Sequence, residues 1–224
     1  MMEATAVRAD YFEPHELEYF DEIERRVSLE SSPVSEVIEL GRLYSRSPGE
    51  GEKALRVFEA AVRREPTNEA AAFCVANECY LALLMNDVVA RDEWDRVERI
   101  LRHVVAKDGE YAGAALTLLS RLMEDESRFP VEERIAVLSA SIEKEPNWVH
   151  NRDSLASLLE AAGRIPEAIK HRERAIANWI GRDPSWGITR TDFEDEITGR
   201  ACAYTLEQCR LQLSELRKRA GQSR

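Results

Sequence analysis

Four stretches of this chain place side chains at successive spacings of three, one and three. They are Val37, Leu40, Gly41, Tyr44; Ala72, Val75, Ala76, Cys79; Tyr111, Ala114, Ala115, Leu118; and Arg152, Leu155, Ala156, Leu159. All but Arg152 are apolar or small, and the spacing puts each set on one stripe of an α-helix. A second helical stretch follows each set, well marked by Ala54, Phe58, Ala61 before Pro66 and by Ala168, Arg172, Ala175. ERIAVLSASIEKEPNW repeats the theme with Leu138, Ser141 and Pro146. One helical pair of this size cannot hide its apolar side alone, so successive pairs must stack. Nowhere do β-branched residues alternate over five positions, and the expected class is therefore all-α, an α–α superhelix.

Prolines, glycines and serines cut the sequence into helix-length segments. The first predicted helix follows Pro14, with Leu17, Phe20, Ile23 and Val27 on one stripe, and ends near Ser31-Ser32-Pro33. The next runs from Val34 to about Ser45; others are predicted near 52–64, 68–85, 92–106, 110–124, 131–144, 148–162, 166–181 and 190–219. Within 92–106 the inward stripe is either Val97, Ile100, Leu101 or Val97, Ile100, Val104.

The first unit, LGRLYSRSPGEGEKALRVFEAAVRREP, and the last, LASLLEAAGRIPEAIKHRERAIANW, resemble the tetratricopeptide repeat (TPR) family. The resemblance rests on Gly41, Tyr44, Ala54, Phe58, Ala61 and Pro66 in one, and on Ala156, Gly163, Ala168 and Ala175 in the other. It covers about residues 34–181. The repeat period of that family is about 34 residues. Here the small residue of the first helix falls at 41, 76, 115 and 156, steps of 35, 39 and 41, so extra residues are assigned to the turns MNDVVARDEW and MEDESRFPVEE. Arg172 stands where the family usually has a large apolar residue. The domain reading is an acidic N-terminal capping helix over 1–33, four hairpins over 34–67, 68–108, 109–146 and 147–181, and a loop with a long C-terminal capping helix over 182–224. That last helix carries Phe193, Ile197, Ala201, Tyr204, Cys209, Leu213 and Leu216 on one stripe, with Thr191 as its cap. An alternative use for the stripe is a homodimer interface.

Function classes narrow by exclusion. The chain carries 42 acidic against 31 basic side chains, a net charge of -11, which disfavours binding to nucleic acid. No run of eighteen apolar residues is present, and the first twenty residues lack a basic stretch followed by an apolar one. The expectation is a soluble cytoplasmic chain that does not enter membranes. Cys74, Cys79, Cys202 and Cys209 form no CxxC pair and no histidine stands within four residues of them, so buried thiols are expected rather than a metal site or a disulfide framework. No P-loop, G-x-G-x-x-G, H-E-x-x-H, G-x-S-x-G or EF-hand pattern occurs. Neither a catalytic residue nor a cofactor is predicted. His171, Glu160 and Glu167 are read as residues of solvated helix faces, and Glu98–Arg102 as a local ion pair. Trp94, Trp148, Trp179 and Trp186 are read as packing anchors.

The TPR resemblance implies a groove, lined by the first helix of each pair, that accepts a peptide or helix of a partner protein. Carried onto this sequence it selects Ile38, Arg42 and Ser45; Phe73, Asn77 and Tyr80; Leu116 and Leu119; and His150, Asp153, Ser157 and Glu160. Ser35 and Ala112 share those faces. Of the carboxylate-binding cluster found in part of that family, only Arg42 and Asn77 are candidates. The predicted function is a non-catalytic interaction scaffold or adaptor. Alternatives are a ligand-responsive sensor, a homo-oligomerisation module, and an enzyme subunit of the protein prenyltransferase α type, which PNWVHNRDSL only faintly echoes.

Overall fold

The computed structural model describes residues 12–85, 91–123, 128–146, 149–180 and 194–222, with side chains at 12–84, 92–123, 128–146, 151–178 and 207–221. Ten α-helices and no strand occur among the described residues. They are α1 (Pro14–Arg26), α2 (Val34–Arg46), α3 (Gly51–Arg64), α4 (Glu69–Met85), α5 (Arg91–Lys107), α6 (Ala112–Leu122), α7 (Val131–Lys144), α8 (Val149–Ala161), α9 (Ile165–Ile180) and α10 (Glu194–Gln222). None is long and apolar enough, among the described residues, to cross a membrane. The chain divides into two compact units, residues 1–122 and 123–224.

In the first unit each of α1 to α5 packs on its successor, and α4 also touches both α2 and α6. Thus α2, α4 and α6, the first helices of their pairs, share one face. The repeated stripe forms the core: Val37, Ala76 and Ala115 are fully buried, with Leu40, Val75 and Leu118 beside them. Gly41 faces Phe58, itself buried in α3, and a Cβ at 41 would lie closer than 3.0 Å to three carbons of that ring. Close approach of α2 to α3 therefore depends on the missing side chain. Gly41→Ala is expected to cost about 1–3 kcal/mol through forced repacking of Phe58. A melt followed by circular dichroism checks this; an unchanged midpoint would show that the ring moves aside freely.

Helix α1 stops earlier than its hydrophobic stripe suggested. Ser28 N–H donates to Ser32 Oγ (2.9 Å) and Ser31 N–H to Ser28 Oγ (3.3 Å), so serine side chains satisfy backbone groups locally and end the helix at Arg26. Phe20 and Ile23 still anchor α1, Phe20 packing edge-on against Tyr44 (5.4 Å between ring centres). Tyr44 donates its hydroxyl to Glu24 (2.6 Å) and Arg46 pairs with Glu16 (2.9 Å), whose carboxyl that hydrogen bond holds below its usual range. In α5 the inward stripe is Val97, Leu101 and Val104, all fully buried, while Ile100 turns to the edge.

The second unit packs α7 on α8, α8 on α9 and α9 on α10. Ile135, Leu138 and Ile142 of α7 meet Leu155, Leu158 and Leu159 of α8, with Ala168 of α9 and Leu216 of α10. Buried Asn151 donates to buried Ser141 (2.6 Å), joining α8 to α7. The turn from α8 to α9 needs a residue at positive φ, supplied by Gly163 (φ 75°). Arg164 N–H bonds back to Leu159 C=O (2.8 Å) and Gly163 N–H to Glu160 C=O (3.0 Å), closing a Schellman-type stop. Trp148 and Trp186 lie outside the described residues, as do the side chains of Trp179, Cys202 and His150.

Candidate functional site

On the shared face of α2, α4 and α6, Arg42 is exposed and donates from Nη2 to the Tyr111 hydroxyl (2.7 Å). Tyr111 in turn lies against Phe73, with ring centres 5.5 Å apart. A guanidinium edge and two half-buried rings are thereby held together by three helical pairs. One turn along α2 and α4, Ser45 donates to the Glu78 carboxylate, which Asn77 also contacts. Burial pushes the Glu78 carboxyl above its usual range, while the hydrogen bonds from Ser45 and Asn77 act to lower it. The face thus presents a cation, an aromatic pair, an amide and a recessed carboxyl within about two helical turns.

The structure does not bring all the sequence-selected residues to one accessible surface. Arg42, Ser45, Phe73 and Asn77 gather there with some area open to solvent. Ile38, Tyr80, Leu116 and Leu119 are buried in the first unit, Tyr80 with its ring edge-on to Trp94 at 6.5 Å. Ala112 is buried as well, because a small residue in the first turn of α6 lets that helix seat closely. Tyr111 was legible only as a packing position; its use as the partner of Arg42 depends on tertiary placement across 69 residues.

Asp153, Ser157 and Glu160 belong to the second unit and are engaged by their own chain. Arg172, 1% exposed, pairs with Asp153 and donates to Ser157 Oγ (3.0 Å). Cys209 of α10 gives its thiol proton to Asp153 (3.2 Å), and Arg219 of α10 reaches Glu160. Burial, with Asp153 alongside, pushes the Cys209 thiol up to about 11. Cys74 and Cys79 are likewise buried, and burial raises both thiols. His171 is half-buried rather than solvated: burial, then Arg152 and Lys170 nearby, lowers its pKa, and its Nδ1 has no hydrogen-bond partner among the described residues. Glu167 is tied to Arg164 (2.7 Å) and Glu98 to Arg102 (2.8 Å). Among the described residues no group of three His, Cys, Asp or Glu is placed to hold a metal ion.

No protein-family model and no curated protein matches the sequence. Solved structures do resemble it. A crystal structure of MamA superposes with a TM-score of 0.57 at 16% identity, covering 85% of this chain and 100% of that one. A second MamA structure gives 0.56 at 16% identity over 71% of this chain and 85% of that one. YrrB, a TPR protein with an unusual peptide-binding site, gives 0.53 at 16% identity over 65% of this chain and 69% of that one. The chain has a TPR-like fold. Its α–α solenoid class and divergent repeats agree with the small-residue spacing of the sequence. At this identity the likeness establishes architecture, and TPR-like architecture hosts many partners.

Proposed function

We propose that the protein is a non-catalytic scaffold that captures a segment of a partner protein on the α2–α4–α6 face of its first unit. The carrying observation is the Arg42–Tyr111–Phe73 cluster, an exposed guanidinium held beside two aromatic rings. Arginine and tyrosine supply much of the energy at protein interfaces, the guanidinium by paired hydrogen bonds to a carboxylate and the ring by area at low entropic cost. Asn77 adds an amide suited to a peptide backbone. The partner segment then presents a carboxylate to Arg42 and an apolar side chain to Phe73. A peptide-binding TPR protein among the structural neighbours supports this reading.

Affinity capture from the native source, quantified by mass spectrometry, tests it. Arg42→Ala and Asn77→Ala are each expected to reduce recovery of the specific partner about tenfold, with helicity retained. Equal recovery by both variants and the parent chain refutes the face as the capture site. The homo-oligomer alternative keeps one observation, Leu211 of α10 standing 55% exposed. Light scattering on the purified protein separates the two, since a scaffold of this kind needs no second copy.

A further inference from the structure

A second concavity lies on the other side of α4. Ala72 and Val75 point roughly opposite to Phe73 and Asn77 on that helix, at about 100° per residue. They form part of the floor of a groove between α3 and α5 with a volume of about 570 Å³. Val62 and Ile100 complete an apolar bed. Arg96 pairs with Glu59 across one end (2.6 Å), bridging α5 and α3.

Beyond that bridge the rim is basic. Arg63, Arg99 and His103 stand exposed around the groove, and among the described residues none lies within ion-pair distance of a carboxylate. That arrangement is notable in a chain with 42 acidic side chains, where Arg46, Arg96, Arg102 and Arg172 each pair with a carboxylate. A basic residue in the last turn of a helix answers the helix dipole, which accounts for Arg63 at the end of α3. It does not account for Arg99, about two turns before the end of α5. Arg99 Nε is held by the Asp95 carbonyl (3.2 Å), which steadies the guanidinium at the rim.

We propose that this groove is a second docking surface, taken by an acidic protein segment that carries aliphatic side chains. Leucine- or isoleucine-sized groups rest on Val62, Val75 and Ile100, and flanking carboxylates meet Arg63, Arg99 and His103. Charge complementarity selects the occupant: the rim is cationic while the molecule as a whole carries -11. The same net charge repels an extended polyanion, and the apolar bed offers nothing to phosphates, so a nucleic acid is the disfavoured ligand. Together with the α2–α4–α6 face, the groove would let one unit hold two segments on opposite sides.

The test is fluorescence anisotropy on the full chain. The probe is a labelled synthetic peptide with two leucines one helical turn apart, flanked by glutamates. Controls are the same peptide with lysines for glutamates, the same with alanines for leucines, and a labelled single-stranded oligonucleotide. Expected are saturable binding of the acidic leucine peptide alone, about tenfold weakening by Arg63→Glu or Arg99→Glu, and further weakening with added salt. Ile100→Asp should weaken it comparably, and Arg42→Ala should leave it unchanged, which separates this groove from the face proposed above. Because the two arginines are exposed, their melting midpoints should match the parent. Equal binding of the lysine or alanine peptide, tighter binding of the oligonucleotide, or insensitivity to both arginine reversals would overturn the proposal.

Discussion

Arg172→Ala is expected to destabilise the unit of residues 123–224 by about 3 kcal/mol, the lower end of what removing one partner of a buried ion pair costs. The guanidinium is 1% exposed, while Asp153 retains 30% exposure, so water still reaches the stranded carboxylate and moderates the penalty. Removal also empties the space between Ala168 and Ala175, both fully buried on α9. Urea unfolding read by tryptophan fluorescence in a Trp94→Phe background follows this unit, because the other three tryptophans lie within it. Asp153→Ala should be costly for the converse reason, leaving a buried cation. Replacing both, as Arg172→Met with Asp153→Leu, should recover most of the loss, since apolar groups of similar size need no partner. A single-variant effect below about 0.5 kcal/mol, the range of ordinary surface changes, would mean that the pair does not hold α8 to α9.

Arg172 also marks the limit of what the sequence makes legible. Its neighbours on α9 were readable: Ala168 and Ala175 recur at the spacing that lets two helices approach, and both are fully buried. Gly41 was readable as a small residue of the same kind, though Phe58 as the ring that covers it was not. A charged residue at the next position of that stripe looks like a departure from the pattern. It becomes a core element only because Asp153 and Ser157, one turn apart on α8, face it. The choice between Leu101 and Val104 in α5 was undecided because both fall on the stripe; both are buried and Ile100 is displaced to the groove. Periodicity assigns a side chain to a helix face but not to the neighbour that will cover it. Hence the face of Arg42 and Asn77 was anticipated, while Tyr111 as its third member was not. The same gap explains Asp153, Ser157 and Glu160, read as lining an open groove. Their covering partners sit on α9 and on α10, up to 59 residues away in the chain.

Leu216→Ala is expected to cost about 3 kcal/mol, within the range for truncating a buried leucine that leaves a cavity. Leu216 is 1% exposed among Leu155, Leu159 and Ala168, so α10 contributes to the core of the second unit rather than resting on its surface. Cys209, Leu213 and Leu216 recur at i, i+4 and i+7, giving the helix one buried stripe. The ion pair Arg217–Glu173 (2.7 Å) flanks the same contact but is 60% and 46% exposed, and Arg217→Ala should change stability by no more than about 0.5 kcal/mol. Limited proteolysis compares the two directly: Leu216→Ala should speed cleavage within residues 194–222 many-fold, and Arg217→Ala should not. Equal rates would assign the docking of α10 to charge rather than to burial. With the apolar assignment, the surface around Asp153 and Glu160 is already occupied by the chain's own helix. A segment that took the place of α10 there would forgo the burial of Leu216, at a cost comparable to the loss expected for the alanine variant.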